Sequence, residues 1–385
     1  MIKIFDTNVI VEYPNIILKE KDLAIPYCIL NELEAIKRTR DGLGFNARNA
    51  IRNILKKEDE ILFINHHSST GLSADDYLIK ICTDEGFELV TKDILLYLRA
   101  KSKKVNVKYF QENNDIYTGI KYKKLPDEFV DKAYKQSYLE VGSHPFFKDV
   151  KENQFFDADR LILRRKDGKM FLINWDDKYA LSKDFKLNRR QLMAFDLLMD
   201  KTVPVNAIWG KYGTGKTSLV IRTALRLFNK DMYKKIIVSR PKIETGFKEE
   251  NLGTLPGDVL EKYSPFLKCF EDNATRTQFN MFEVQPLTTI KGRDIKDTIF
   301  IIDEAQDISP DKMPMIIERL GKNSKLILLG DPNQIDNRGL TKFNNGLIFT
   351  INNLKDYENF GSIQLVENER SKTAMLGEEL RKCLE

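Results

Sequence analysis

A glycine-rich loop set between an apolar run and a helical stretch leaves few folds open to this chain. The run is Val203–Trp209, and the loop Gly210-Lys-Tyr-Gly-Thr-Gly-Lys216-Thr217 satisfies G-x-x-x-x-G-K-[ST] at every fixed position. Gly210, Gly213 and Gly215 let the backbone wrap a polyphosphate with its N–H groups pointing inward. Lys216 would reach the β- and γ-phosphates, and the Thr217 hydroxyl would ligate Mg²⁺. Thr214 and Ser218 complete the cradle, and the helix expected over Thr217–Phe228 aims its positive N-terminus at the same anion. A second element, Ile299-Phe-Ile-Ile-Asp303-Glu304-Ala-Gln306, reads as a buried strand. It ends in Asp303, placed to hold the metal, and Glu304, placed to polarise the attacking water. Either motif alone recurs by chance. Both in order, each in its strand context, predict a nucleoside-triphosphatase on an α/β sheet.

Length and charge set the frame for the rest. A chain of 385 residues holds two or three domains. Its 62 basic residues are nearly matched by 57 acidic ones, so the net charge of +5 allows a polyanionic partner without establishing one. The four cysteines lie far apart with no C-x-x-C, which argues against a zinc cluster or a disulfide framework. With three histidines in all, metal sites are expected to be oxygen-rich. No secretory signal opens the chain and no apolar run reaches membrane-spanning length, so a cytoplasmic protein without a membrane partner is expected.

The N-terminal third has its own organisation. Residues 2–5 read as a strand running into Asp6, and helical spacing follows from Asn31 to Lys57 and over Ser73–Asp84. Glu88–Thr91 reads as a strand ending at Lys92-Asp93, and Val105–Phe110 as another. Strands alternating with helices predict a parallel sheet, whose polar residues gather just beyond the strand C-termini. Asp6 and Asp93 occupy that position, Glu32 follows the apolar run Ile25–Leu30, and Asp75 and Asp76 open a helix. Singly each has a plain alternative as a turn former, a solvated charge or a helix cap. Together, carboxylates converging from separate elements call for a hard cation, Mg²⁺ or Mn²⁺. A pair of such ions would activate water for phosphodiester cleavage.

This set resembles a PIN domain over about residues 1–115, carried by Phe5-Asp6-Thr7-Asn8, Asn31-Glu32-Leu33, the Asp75/Asp76 helix start and Leu89-Val-Thr-Lys-Asp93. The resemblance implies cleavage of single-stranded RNA with Mg²⁺ or Mn²⁺, and metal ligands at Asp6, Glu32, Asp75 and Asp93. Asp75 is favoured at the third position because it lies one turn before Leu78 and Ile79, and Asp76 stays open.

Residues 116–184 read as a linker with a small β element. Asp167-Gly168 between the runs Leu161–Lys166 and Lys169–Trp175 is a strong hairpin signal. Arg164, Arg165, Lys166 and Lys169 with Phe171 and Trp175 would suit nucleic acid by charge and stacking, though a solvated hairpin tip is the plainer reading.

From residue 185 to the end the chain reads further than a bare phosphate loop. Gln191, on an apparent helix, would hydrogen-bond the adenine edge and favour ATP. Lys235–Arg240 and Leu326–Gly330 read as strands, Gln334 would sense the γ-phosphate, and Arg370 would stabilise charge on the transferred phosphoryl group. These blocks, with Arg240-Pro241, Glu244, Gly246 and the loop Leu252–Asp258, are similar to the PhoH-type ATPases over about 185–375. Those are RecA-like P-loop NTPases related to superfamily-1 helicases. With the PIN-like part in front, the chain resembles the PIN–PhoH fusions. That resemblance implies an ATP-dependent RNA helicase or translocase coupled to a metal-dependent ribonuclease, with single-stranded RNA as partner and a hexameric ring as assembly. Ser371 departs from the histidine that relatives often carry beside Arg370. Too little chain follows Gln334 for a second ATPase core, so an arginine acting from a neighbouring subunit is expected. The competing readings are an ATP-regulated nucleic-acid-binding oligomer with an inactive PIN-like domain, and a DNA-processing ATPase.

Overall fold

The computed structural model describes residues 1–39, 42–65, 72–111, 116–173, 186–241, 278, 280–290, 292, 294–337 and 340–369. His66, His67, Trp175, Glu244, Gly246, the loop 252–258, Arg370 and Ser371 lie outside the described residues. Two compact units are present, the first built on residues 1–115 and the second beginning at Ile116. Among the described residues no helix is long and apolar enough to cross a membrane.

The first unit is a five-stranded parallel sheet in the order β3-β2-β1-β4-β5, with β1 Lys3–Phe5, β2 Leu23–Pro26, β3 Ile61–Ile64, β4 Glu88–Thr91 and β5 Val107–Tyr109. Its helices are α1 (Thr7–Glu12), α2 (Ile16–Lys19), α3 (Tyr27–Ile36), α4 (Gly42–Lys56), α5 (Ala74–Glu85) and α6 (Ile94–Ser102). The sheet grows outward in one direction from β1 through β2 to β3, then restarts with β4 on the other side. The C-terminal ends of β1 and β4 therefore flank the switch point where such sheets place their sites. The helical spacing expected from Asn31 to Lys57 falls into two helices, α3 and α4, and the first begins earlier, at Tyr27, directly after Pro26 closes β2 within the apolar run Ile25–Leu30. Proline has no N–H to give the ladder and its fixed φ suits the residue before a first helical turn. Glu32 is thus a mid-helix residue.

The second unit begins with a five-stranded mixed sheet in the order β6-β8-β9-β10-β7: β6 Ile120–Tyr122, β7 Tyr138–Glu140, β8 Phe155–Asp157, β9 Ile162–Lys166 and β10 Lys169–Leu172. The β9–β10 hairpin turns on Asp167 and Gly168, both at positive φ (51° and 74°), the geometry that tight hairpin turns demand. One face of this sheet packs under α7 (Asp127–Gln136) through Leu139, Phe156, Leu163 and Met170. The other face joins the larger core, where Ile120, Phe155 and Ile162 meet α8 (Arg189–Met199). Each such side chain contributes roughly 1.5–3 kcal/mol on burial, so the small sheet is not a loose connector. Ion pairs reinforce the junction. Arg164 lies 3.0 Å from both Asp196 and Asp200, Lys166 pairs with Asp200 at 2.7 Å, and Arg189 pairs with Asp157 at 2.6 Å. Arg164, with a side chain 5% exposed, is therefore neither a solvated hairpin charge nor a free phosphate contact.

The remaining strands form a six-stranded parallel sheet, β13-β12-β14-β15-β11-β16. They are β11 Val205–Gly210, β12 Lys235–Ser239, β13 Phe282–Val284, β14 Thr298–Ile302, β15 Lys325–Gly330 and β16 Phe360–Leu365. Every residue of β11, β14 and β15 is buried, as expected for parallel strands covered on both faces. The helix α9 (Lys216–Asn229) leaves the end of β11 and covers one face.

Candidate functional sites

The phosphate loop turns from β11 into α9 with Gly210, Gly213 and Gly215 at φ 145°, 84° and 78°. A Cβ on Gly210 would stand 2.0 Å from the Leu365 carbonyl of β16, and one on Gly215 would meet the Gln191 amide at 2.8 Å. Glycine is thus required here by conformation and by close approach. Lys216 folds back over the loop and donates to the carbonyls of Gly210 (2.7 Å) and Lys211 (2.8 Å). Thr214 ties the loop by donating to Lys211 O at 2.9 Å. Thr217 and Ser218 lie half-buried in the first turn of α9. Glu369 reaches the loop from the far end of the chain, its N–H donating to Gly213 O at 2.9 Å. The residue before Arg370 is therefore in contact with the phosphate loop.

Gln191 is 2% exposed, and its amide is engaged within the chain. Its oxygen accepts from Asn188 N–H at 3.1 Å as half of a capping box, and its nitrogen donates to Thr214 O at 3.2 Å. Here it braces the loop against the start of α8.

Asp303 and Glu304 follow β14, and one strand, β15, separates them from β11. The Asp303 carboxyl is raised above the usual range by burial and by the charge of Glu304, while Arg240 and Lys216 act in the opposite sense. Those four charged groups thus share one electrostatic neighbourhood. Glu304 sits in the left-handed region at φ 53°, a conformation uncommon for a residue other than glycine. Its two oxygens accept from Gln306 Nε2 at 2.7 Å and from Arg240 at 3.3 Å. Gln306 is the residue that motif reasoning left without a role. It also donates to Gln334 O at 2.7 Å and accepts from Asp331 N–H at 3.1 Å. The Gln334 backbone is thus held beside Glu304 through Gln306. The donor set fits a Mg²⁺-nucleotide in kind: a buried carboxyl raised by like charge, a hydroxyl at a helix start, and an ammonium in the loop.

In the first unit, Asp6 follows β1 and is 6% exposed. Thr91, the last residue of β4, donates its hydroxyl to Asp6 Oδ2 at 2.9 Å. Burial pushes the Asp6 carboxyl up to about 6, the Thr91 bond opposes this, and the charges of Glu32 and Asp75 add to the rise. Glu32 is fixed by a short hydrogen bond from the Thr7 hydroxyl. The fold thus brings Asp6, Glu32 and Asp75 into mutual electrostatic reach. Asp76 accepts hydrogen bonds from Ser73 and Arg99, which hold its carboxyl below the usual range, and Arg99 also pairs with Asp75 at 3.3 Å. Asp93 caps α6, accepting from Leu96 N–H at 2.9 Å. Among the described residues, no three His, Cys, Asp or Glu side chains gather closely enough to hold an ion as they stand. Asp6, Glu32 and Asp75 nonetheless offer carboxylate oxygens around one buried acid, Asp6, on which the other two act as like charges, and that chemistry fits a hard divalent cation.

Comparison with known proteins agrees with both halves. Residues 3–111 match the model of the PIN domain, and residues 186–376 match that of the PhoH-like proteins. Protein PhoH2 of Bacillus subtilis (strain 168) is 28% identical over 443 residues, covering 98% of this chain and 99% of that one. Protein PhoH2 of Thermobispora bispora is also 28% identical, covering 98% and 95%. A PhoH-like protein of Bacillus subtilis (strain 168) is 41% identical over 33% of this chain and 42% of its own length. Joining a PIN domain to a PhoH-like P-loop ATPase domain in one polypeptide, the chain belongs to the PIN–PhoH fusion family.

Proposed function

We propose that this protein is an ATP-dependent RNA helicase or translocase whose PIN domain cleaves single-stranded RNA with Mg²⁺ or Mn²⁺. The observation that carries the ATPase half is the Asp303–Glu304 turn, seated in the field of Lys216 and braced by Gln306. Mg²⁺ bound with ATP would neutralise charge developing on the phosphates. Lys216 exchanges a loop carbonyl for a phosphate oxygen, and Thr217 and Asp303 hold the metal. Glu304 orients the attacking water, with Gln306 fixing its carboxylate. Gln334, joined to Glu304 through Gln306, relays the state of the γ-phosphate to the loop after β15. Gln191 meets adenine if its amide leaves Thr214 for the base. Arg370 or another arginine is the proposed residue for the transferred phosphoryl group, supplied by a neighbouring subunit of a homohexameric ring.

In the nuclease half, Asp6, Glu32 and Asp75 are the proposed ligands. Asp93 joins them only by giving up its cap on α6. That cap and the open spacing of the acids favour one second reading, an inactive PIN domain on an ATP-regulated nucleic-acid-binding protein. A DNA substrate is the other alternative. Incubating the full-length protein with end-labelled single-stranded RNA and DNA in Mn²⁺, beside Asp6→Asn, decides among these. RNA-selective cleavage that Asp6→Asn loses supports the reading. Selective DNA cleavage replaces the substrate, and no cleavage of either strand moves the inactive-domain reading ahead.

A further inference from the structure

The two groups that hold Glu304 are unlike each other. Gln306, almost wholly buried, is anchored to Glu304, Gln334 and Asp331 at once, and so is a fixed support. Arg240 comes from the end of β12, next to β14 in the sheet, where Asp303 N–H donates to Ser239 O at 3.0 Å. Its guanidinium lies 3.3 Å from Glu304 Oε1 while keeping 34% of its side-chain surface open. A guanidinium binds carboxylate and phosphate through the same planar fork, so it can exchange one for the other at little geometric cost. While paired with Glu304 it neutralises the charge that would polarise water and fixes one of the two carboxylate oxygens.

We propose that Arg240 is a brake on hydrolysis: it restrains Glu304 until a backbone phosphate of a polynucleotide draws the guanidinium away. Resting on the reading of Glu304 as the water-orienting carboxylate, this makes Arg240 a positioning residue that couples nucleic-acid binding to ATP turnover. ATP's own γ-phosphate offers the same oxyanion chemistry, so the test must separate the two sources.

Steady-state ATP hydrolysis by the full-length protein does so, measured without and with a saturating single-stranded oligonucleotide, RNA and DNA in turn. The brake predicts that the oligonucleotide raises wild-type kcat. Arg240→Gln should raise kcat without oligonucleotide by about threefold, the factor a part-exposed ion pair is worth. KM for ATP should stay unchanged, and added oligonucleotide should then do nothing more. Arg240→Lys keeps the charge but not the fork, so it should show a smaller stimulation than wild type, and it carries the test if Arg240→Gln does not bind a fluorescent ATP analogue. A kcat that falls tenfold in Arg240→Gln under both conditions would assign the guanidinium to ATP's phosphates and overturn the brake. A wild-type stimulation ratio in either variant, or no stimulation of wild type, would overturn it as well. Glu304→Gln serves as the separate control: if it still hydrolyses ATP, the underlying assignment of Glu304 fails, whatever Arg240 does.

Discussion

Gly330 faces the side-chain amide of Gln306 so closely that a Cβ on residue 330 would stand 2.3 Å from Gln306 Oε1. The far end of a long side chain can usually step aside. This one is held by Asp331 N–H, Glu304 and the Gln334 carbonyl, so stepping aside means breaking all three bonds. Gly330→Ala should therefore act on catalysis rather than on ATP binding. The expected result is a kcat lowered by about tenfold, one charge-assisted hydrogen bond's worth, with KM for ATP within about twofold. Gln306→Ala should reproduce it. A Gly330→Ala enzyme with normal kcat would show that Gln306 does not hold Glu304 in its working position.

Lys216 is the motif lysine of the phosphate loop, and its ammonium already sits among the loop carbonyls. Lys216→Ala should reduce ATP hydrolysis by about a hundredfold or more, the usual loss of a principal charge stabiliser. Metal-dependent cleavage of RNA in the absence of ATP should continue, because the proposed ligands Asp6, Glu32 and Asp75 belong to the other unit. Phosphate release and cleavage of a labelled strand, assayed on one preparation, separate the two. Loss of both together would mean that cleavage depends on ATP turnover.

The junction between the small sheet and α8 carries a different prediction. Asp196 is buried enough that its carboxyl is raised despite Arg164 beside it. Burial also acts upward on Asp200, yet hydrogen bonds from Lys166 and Thr202 and the charge of Arg164 hold it well below the usual range. Arg164→Met leaves both acids short of their shared partner, and breaking such a buried pair costs about 3–5 kcal/mol. Both tryptophans, Trp175 and Trp209, lie beyond Ile116, so their fluorescence during urea unfolding follows this unit. A loss below about 1 kcal/mol would class the network with exposed ion pairs.

What could be read in the sequence divides along the range of the interactions. The phosphate loop, the Asp303–Glu304 strand end and the Asp167-Gly168 hairpin are local signals, each complete within about ten residues, and each stands in the fold where its pattern placed it. The strands β6, β7 and β8 are three residues each, too short to show alternation, and their neighbours come from distant segments. Arg164 looked like a hairpin charge because nothing local announces Asp196 and Asp200. Gln306 was visible in its motif, but its task depends on Gly330 having no side chain, a fact of sheet order. The carboxylates of the first unit stand out in the sequence one by one, while the capping work of Asp93 and the Arg99 contacts of Asp75 and Asp76 depend on helices packed together from distant segments.

Lys325 opens β15 and is wholly buried, its ammonium donating to the carbonyls of Asp200 (2.9 Å) and Val203 (2.6 Å). Burial pushes its pKa down from 10.5 to about 7, against the attraction of Asp200 and with the repulsion of Arg164. In the unfolded chain the group regains its ordinary value, so between pH 7 and about 10.4 the unfolded state binds the proton that the folded state has shed. Stability then rises with pH across that window, by up to about 1.4 kcal/mol per pH unit, and is lowest below pH 7, where the folded protein must bury the charge. Lys325→Met keeps the length of the side chain and removes the titration. It should flatten the pH dependence of urea unfolding above pH 7, and leave the variant closest to, or above, wild type near pH 6. An unchanged slope between pH 7 and 10 would mean that Lys325 stays charged in the fold, held by its two carbonyls, and that the pH dependence arises elsewhere.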